Sequence, residues 1–114
     1  MAKIERIETG PRMSHAVIHN DVVYVSGVVS RGSTVRQQTK NVLEGIDETL
    51  KRAGTDKSRI LSATVWLTDM RKFDEMNTVW DAWVSPGNAP ARACVEAKLA
   101  IPGFEVEIAV IAAR

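Results

Sequence analysis

An α+β fold, with two helices covering one face of a mixed β-sheet, is what the amino-acid sequence predicts. Three observations carry that expectation. Branched and aromatic runs near the start are cut by turn residues into three short strands. Two amphipathic helical stretches follow, with one strand between them. Two further strands close the chain, giving the order β-β-β-α-β-α-β-β.

Taken in order, Lys3-Ile4-Glu5-Arg6-Ile7 reads as a short edge strand ended by Thr9-Gly10-Pro11. Residues 16–19 and 22–26 are β-rich and joined by Asn20-Asp21, a good two-residue hairpin turn. The stretch 27–32 ends the third strand. Over 33–53, Val35, Val42, Leu43, Ile46 and Leu50 fall on one helical face, opposite Lys40, Glu44, Glu48 and Lys51. Gly54 suits the C-terminal cap. Residues 60–67 form a strand. Asp69 is placed to cap a second helix over 70–84, with Phe73, Met76, Trp80 and Trp83 as its packing stripe. Strands over 91–99 and 105–112 follow, split by Pro102-Gly103.

Bulk properties bound the function. A chain of 114 residues suits one domain, here 1–114, and 45% hydrophobic with 25% charged residues is ordinary for a globular protein. The formal net charge of +1 offers no long-range attraction for nucleic acid or an anionic membrane, so neither is expected as a partner. The segment Met1–Glu8 carries acids and lacks the apolar core of a signal peptide. No apolar run approaches the roughly 20 residues of a membrane-spanning helix. A cytoplasmic location is the expectation. The lone cysteine, Cys94, excludes an intrachain disulfide and a multi-cysteine zinc site. His15 and His19 have a metal-compatible spacing only on a helix, and they flank a strand, so no metal is expected. No glycine loop has phosphate-binding spacing.

Strand alternation divides the late strands into faces. In the fifth strand, Ala93, Val95, Ala97 and Leu99 share one face and Arg92, Cys94, Glu96 and Lys98 the other. In the last, Val106, Ile108, Val110 and Ala112 oppose Glu105, Glu107, Ala109 and Ile111. If the apolar sets lie under the helices, Arg92 and Cys94 lie on the opposite face. The set Leu61-Ala63-Val65-Leu67 then faces the helices and leaves Trp66 on that opposite face with Ile111. Such an exposed apolar face is expected to pack against other subunits.

Arg92 is the first candidate for chemistry. Its planar, permanently charged fork suits a carboxylate held by two parallel hydrogen bonds. The alternative is an ion pair with Glu107 or Glu96. Cys94, two residues on, is a packing residue or a thiol activated by Arg92. Glu107 is a structural ion-pair partner or a carboxylate orienting water.

One series of segments carries more than its parts. It runs from Gly10-Pro11 and Ser14-His15-Ala16-Val17 to Val25-Ser26-Gly27 and Gln38-Thr39-Lys40-Asn41-Val42-Leu43. Thr64-Val65-Trp66-Leu67-Thr68-Asp69-Met70 and Phe73-Asp74-Glu75-Met76-Asn77 follow. Pro90-Ala91-Arg92-Ala93-Cys94-Val95-Glu96 and Val106-Glu107-Ile108 close it. In this series the chain resembles the Rid family, also called YjgF, the reactive-intermediate or imine deaminases. Trp80-Asp81-Ala82-Trp83 is similar to the YoaB-like branch.

The resemblance implies a chorismate-mutase-like fold and a homotrimer with clefts between subunits. It implies hydrolysis of small enamine or imine acids, such as 2-aminoacrylate, to 2-oxo acids and ammonia, with no metal or organic cofactor. Arg92 would grip the substrate carboxylate, and the surroundings of Cys94, Ser26 and Gly27 would line the pocket, with Met13 and Glu107 also matching site positions. Two positions depart from the family pattern. Met13 stands where founding members have Tyr, and Ala109 where they have a glutamate thought to position the attacking water. These departures favour a second reading, a non-catalytic trimer that binds a small carboxylate. A third, ribonuclease or translation inhibition as claimed for some relatives, fits poorly with the +1 charge and the lack of a base-stacking motif.

Overall fold

Asn20 and Asp21 adopt φ values of 50° and 60°. Positive φ at both central residues is what a two-residue type I′ hairpin turn requires. This turn joins β2 (Ser14–His19) to β3 (Val22–Val28) in a computed structural model that describes residues 2–114. Met1, part of the segment read above as no signal peptide, lies outside the described residues. The other elements are β1 (Glu5–Thr9), α1 (Val35–Arg52), β4 (Ile60–Leu67), α2 (Phe73–Trp83), β5 (Ala91–Glu96) and β6 (Val106–Ala113). Their order matches the expectation. The strands make one mixed sheet in the order β1-β2-β3-β6-β4-β5, in which only β4 and β5 run parallel.

Helix α1 starts where Thr34 accepts a hydrogen bond from Gln37 N at 3.1 Å. Glu75 of α2 takes a second orphan amide, Arg36 N, at 2.9 Å, so α2 helps cap α1. At the other end Gly54 takes φ 84°, a conformation that disfavours side chains. All five apolar residues predicted for the inner face of α1 are buried, as are Gln38 and Thr39. Each such aliphatic side chain contributes roughly 1.5–3 kcal/mol relative to exposure. Gln38 is held by three backbone groups. Its amide donates to Gly32 O and Gly103 O, and its carbonyl accepts from Glu105 N. Asp69 caps a 3-10 turn, Met70–Lys72, rather than α2 itself, which begins at Phe73.

Both helices cover one face of the sheet. Beneath them lie Val23, Val25, Ala63, Val65, Leu67, Val106, Ile108, Val110 and Ala112. At the start of β4 the register shifts between Ile60 and Ser62, so Ile60 is buried and Leu61, expected under the helices, is 51% exposed.

The face assignment of β5 is reversed from the expectation. Arg92 and Cys94 lie in register with buried Ala63 and Val65, on the helix side. Ala93 and Val95 face away, and Val95 is 44% exposed. The rule that apolar residues lie under the helices fails here because the opposite face is itself apolar. Tyr24, Trp66, Ile111 and Val95 all belong to it. The strand also ends at Glu96, not near Leu99. Ala97 N makes a last bond to Leu67 O before the chain leaves the sheet.

Candidate functional site

The inverted face of β5 points Arg92 at α2. Its Nη1 donates to Asn77 Oδ1 at 2.8 Å, with Met76 Sδ at 4.0 Å. The guanidinium carbon lies 5.0 Å from the Trp80 ring centroid and 5.9 Å from that of Phe73. Both distances are within reach of a cation–π attraction. Phe73, Met76, Asn77 and Trp80 are spaced three or four residues apart on one face of α2, which brings them together over the edge strand.

Neither ion pair considered for Arg92 forms. Among the described residues no carboxylate lies within 4.0 Å of it. Glu96 instead accepts from Met70 N at 2.9 Å. Glu107 pairs in register with Trp66, two strands from Arg92 and on the opposite face. Among the described residues Arg92 Nε and Nη2 have no hydrogen-bond acceptor, and they are not sealed from solvent. A half-buried planar fork is thus braced along one edge and unfilled along the rest.

Cys94 shares the Arg92 face and is half-buried. Burial pushes its thiol pKa up, against a smaller downward pull from Arg92. The packing role fits this better than activation does.

The remaining candidates gather elsewhere. Met13, Ser26 and Gly27 line a pocket of about 310 Å³ with His15 and with Gly45 and Thr49 of α1. Glu107 does not line this pocket but lies against Gly27. Its carboxylate lies so close to Gly27 that a Cβ built there would collide with Oε2. His15 of this pocket is joined to Glu8, which lies outside it. Glu8 Oε2 is 2.8 Å from His15 Nδ1, and Glu8 Oε1 accepts from Arg52 Nη1 at 2.8 Å. The bond from Arg52, with the charges of Arg52 and His15, holds the Glu8 carboxyl below the usual carboxylate range. Ala109 sits apart, with Tyr24, Ser62, Thr64 and Ile111, in a shallow depression of about 270 Å³ on the open face.

One chain therefore carries the predicted site in two parts. Arg92 and Cys94 lie on β5, and Met13, Ser26, Gly27 and Glu107 lie around β3. Three strand spacings, about 14 Å, separate β3 from β5, while Glu107, on β6, is two spacings from Arg92. Asn77 was not singled out from the sequence, although its segment was part of the resemblance. Its helical spacing from Phe73 and Trp80 is the signal that could have found it.

Known proteins share this fold. The family model described as Endoribonuclease L-PSP matches residues 3–114. A protein described as belonging to the YjgF family, from Neisseria meningitidis, has a solved structure that superposes with a TM-score of 0.97 at 47% identity, covering 98% of this chain and 95% of that one. This chain belongs to the YjgF/Rid family. The RutC family protein of Haemophilus ducreyi is 47% identical over 112 residues, with 96% of each chain covered. The RutC family protein YoaB of Escherichia coli K12 is 44% identical over 111 residues, covering 96% of this chain and 97% of that one. A more distant family member, named 2-iminobutanoate/2-iminopropanoate deaminase, comes from Rattus norvegicus. It is 30% identical over 109 residues, covering 89% of this chain and 79% of that one.

Proposed function

We propose that this Rid protein is a cytoplasmic hydrolase of small imine or enamine acids, with Arg92 as its carboxylate clamp. The observation that carries the reading is the half-buried Arg92 fork, bonded to Asn77 on Nη1, flanked by Trp80 and unpaired with any carboxylate among the described residues. An uncompensated guanidinium in a partly dry setting favours an anionic ligand, and Nε with Nη2 offers the bidentate geometry. The deaminase name of the rat relative supports the imine as substrate class.

In this reading water adds to the C=N carbon. The resulting carbinolamine expels ammonia and leaves the 2-oxo acid. The protein's contribution is mainly to hold the imine beside the water. No metal or organic cofactor takes part. The separation of the two residue groups supports a site completed between subunits of a homotrimer. There Met13, Ser26, Gly27 and Glu107 of one chain would face Arg92 and Cys94 of the next.

The test generates 2-iminobutanoate in situ and follows 2-oxobutanoate release. Wild-type protein is expected to accelerate it. Arg92→Ala is expected to abolish the acceleration while sedimenting as the wild type does. A wild-type protein without effect on several amino-acid-derived imines sinks the enzyme reading.

Ala109 supports the second reading, a non-catalytic binder of small carboxylates, because no carboxylate lines the depression it occupies. Calorimetry with 2-oxobutanoate separates the two, since binding without turnover selects the binder. The family model's description also carries a ribonuclease reading. RNA left intact by the same protein preparation removes it.

A further inference from the structure

We propose that the groove between α1 and α2 binds a small organic anion with an apolar, aromatic body, at a site separate from Arg92. The groove encloses about 620 Å³, within the range of small-molecule pockets. Its floor is apolar: Leu43 from α1, with Val79, Ala82 and the indole of Trp83 from α2.

Its rim is cationic. Arg36, Lys40 and Lys57 surround the floor, and Glu44 is the one carboxylate lining it. Among the described residues no carboxylate lies within 4.0 Å of the Arg36 guanidinium or the Lys40 and Lys57 ammonium groups, Glu75 being held instead by Arg36 N. The neutral polar groups nearby are already occupied. Thr78 donates to Asp74 O, Gln37 donates to Asn41 Oδ1, and Trp83 Nε1 donates to Asp47 Oδ2 at 3.0 Å. The bond to Asp47 fixes the indole, and Lys57 Nζ lies 5.3 Å from its centroid. A flat apolar body against Trp83 and Val79, with its carboxylate among Lys40, Lys57 and Arg36, would complement both the shape and the charge.

The groove is distinct from the Arg92 surroundings because of helical rotation. Asn77 and Val79 are two residues apart, so they project about 200° from one another around α2. The sites meet through the Trp80 and Trp83 rings, whose centroids are 5.3 Å apart. Tryptophan fluorescence should therefore report occupancy.

The probe is 4-phenylbutyrate, titrated by calorimetry and tryptophan fluorescence, with its uncharged primary amide as comparison. Saturable binding is expected, at least tenfold tighter than for the amide. The double variant Lys40→Gln/Lys57→Gln should weaken it tenfold or more. Ala82→Glu, which adds a carboxylate at an exposed position on the floor, should do the same. Arg92→Ala should leave it within twofold of wild type. No saturable binding, equal affinity for the amide, or wild-type affinity in the double variant and in Ala82→Glu each overturns the proposal. So does loss of binding in Arg92→Ala, which would place the probe at the other site.

Discussion

Asn77 Oδ1 accepts a 2.8 Å hydrogen bond from Arg92 Nη1, bridging α2 and the edge strand β5. Asn77 thereby sets the direction of the fork without itself offering a charge to the ligand. A hydrogen bond to a charged group contributes about 1.5–3 kcal/mol, which is tenfold or more in affinity. Asn77→Ala should raise the KM for 2-iminobutanoate about tenfold by that measure and leave kcat within a few-fold. Asn77→Asp should cost more, because its carboxylate would occupy the guanidinium. Unchanged kinetics in both variants would show that Asn77 does not position Arg92.

Gly27 carries a steric demand. The Glu107 carboxylate fills the space a Cβ would take. Gly27→Ala should push the carboxylate end of the flexible Glu107 side chain aside, at a cost of about 0.5–1.5 kcal/mol, that of an off-rotamer torsion. Removing Glu107 should relieve most of it. Urea unfolding of the two single variants and the double variant measures this as a coupling energy. Strict additivity would show that the crowding is not felt.

Much of this fold was legible because its patterns are local. The I′ turn at Asn20-Asp21, the inner face of α1 and the alternation of β6 each depend on a few neighbouring residues. The face of β5 does not. Both sides of that strand carry plausible packing residues, and only its parallel register with Ala63 and Val65 decides which side Arg92 takes. The same limit governs the site. Arg92 was visible as an unusual arginine, but its partner Asn77 depends on how α2 lies across the sheet edge. The contact of Glu107 with Gly27 depends on the register shift between Val25 and Val28.

Burial raises the Cys94 thiol pKa more than Arg92 lowers it. Thiolate, the reactive form, should therefore be scarcer than for a free cysteine at neutral pH. Iodoacetamide should modify Cys94 more slowly than glutathione at pH 7.5. Its rate should still be climbing above pH 9.0, the ordinary thiol value. Cys94→Ala should keep imine turnover within a few-fold. Rapid alkylation at pH 7.5, followed by mass spectrometry, would reverse the assignment of Cys94 to packing.

Glu8 has a depressed pKa in the folded protein through Arg52 and His15. Below its ordinary value of 4.5 the unfolded chain takes up the proton first, so stability falls as pH drops through that window. Above it the contribution is fully present. Glu8→Gln should leave stability less dependent on pH below 4.5, as followed by thermal melts from pH 3 to 7. An identical acid limb in the variant would assign the acid sensitivity to other groups.

The open face of the sheet should be where subunits meet. Tyr24 is 46% exposed there, and Ile111 pairs in register with both Tyr24 and Ser62 near the middle of the sheet. Ile111→Arg would bury an unpaired charge at an interface, which costs several kcal/mol. It should therefore sediment as a monomer where wild type sediments as a trimer. Circular dichroism should stay unchanged, because the helix-side core is untouched. Arg92 and its Asn77 brace would also be intact, yet turnover should vanish. The Met13, Ser26, Gly27 and Glu107 group on the same chain lies too far across the sheet to complete the pocket. A monomeric variant with wild-type turnover would mean that one chain suffices and that the two groups do not act as one site.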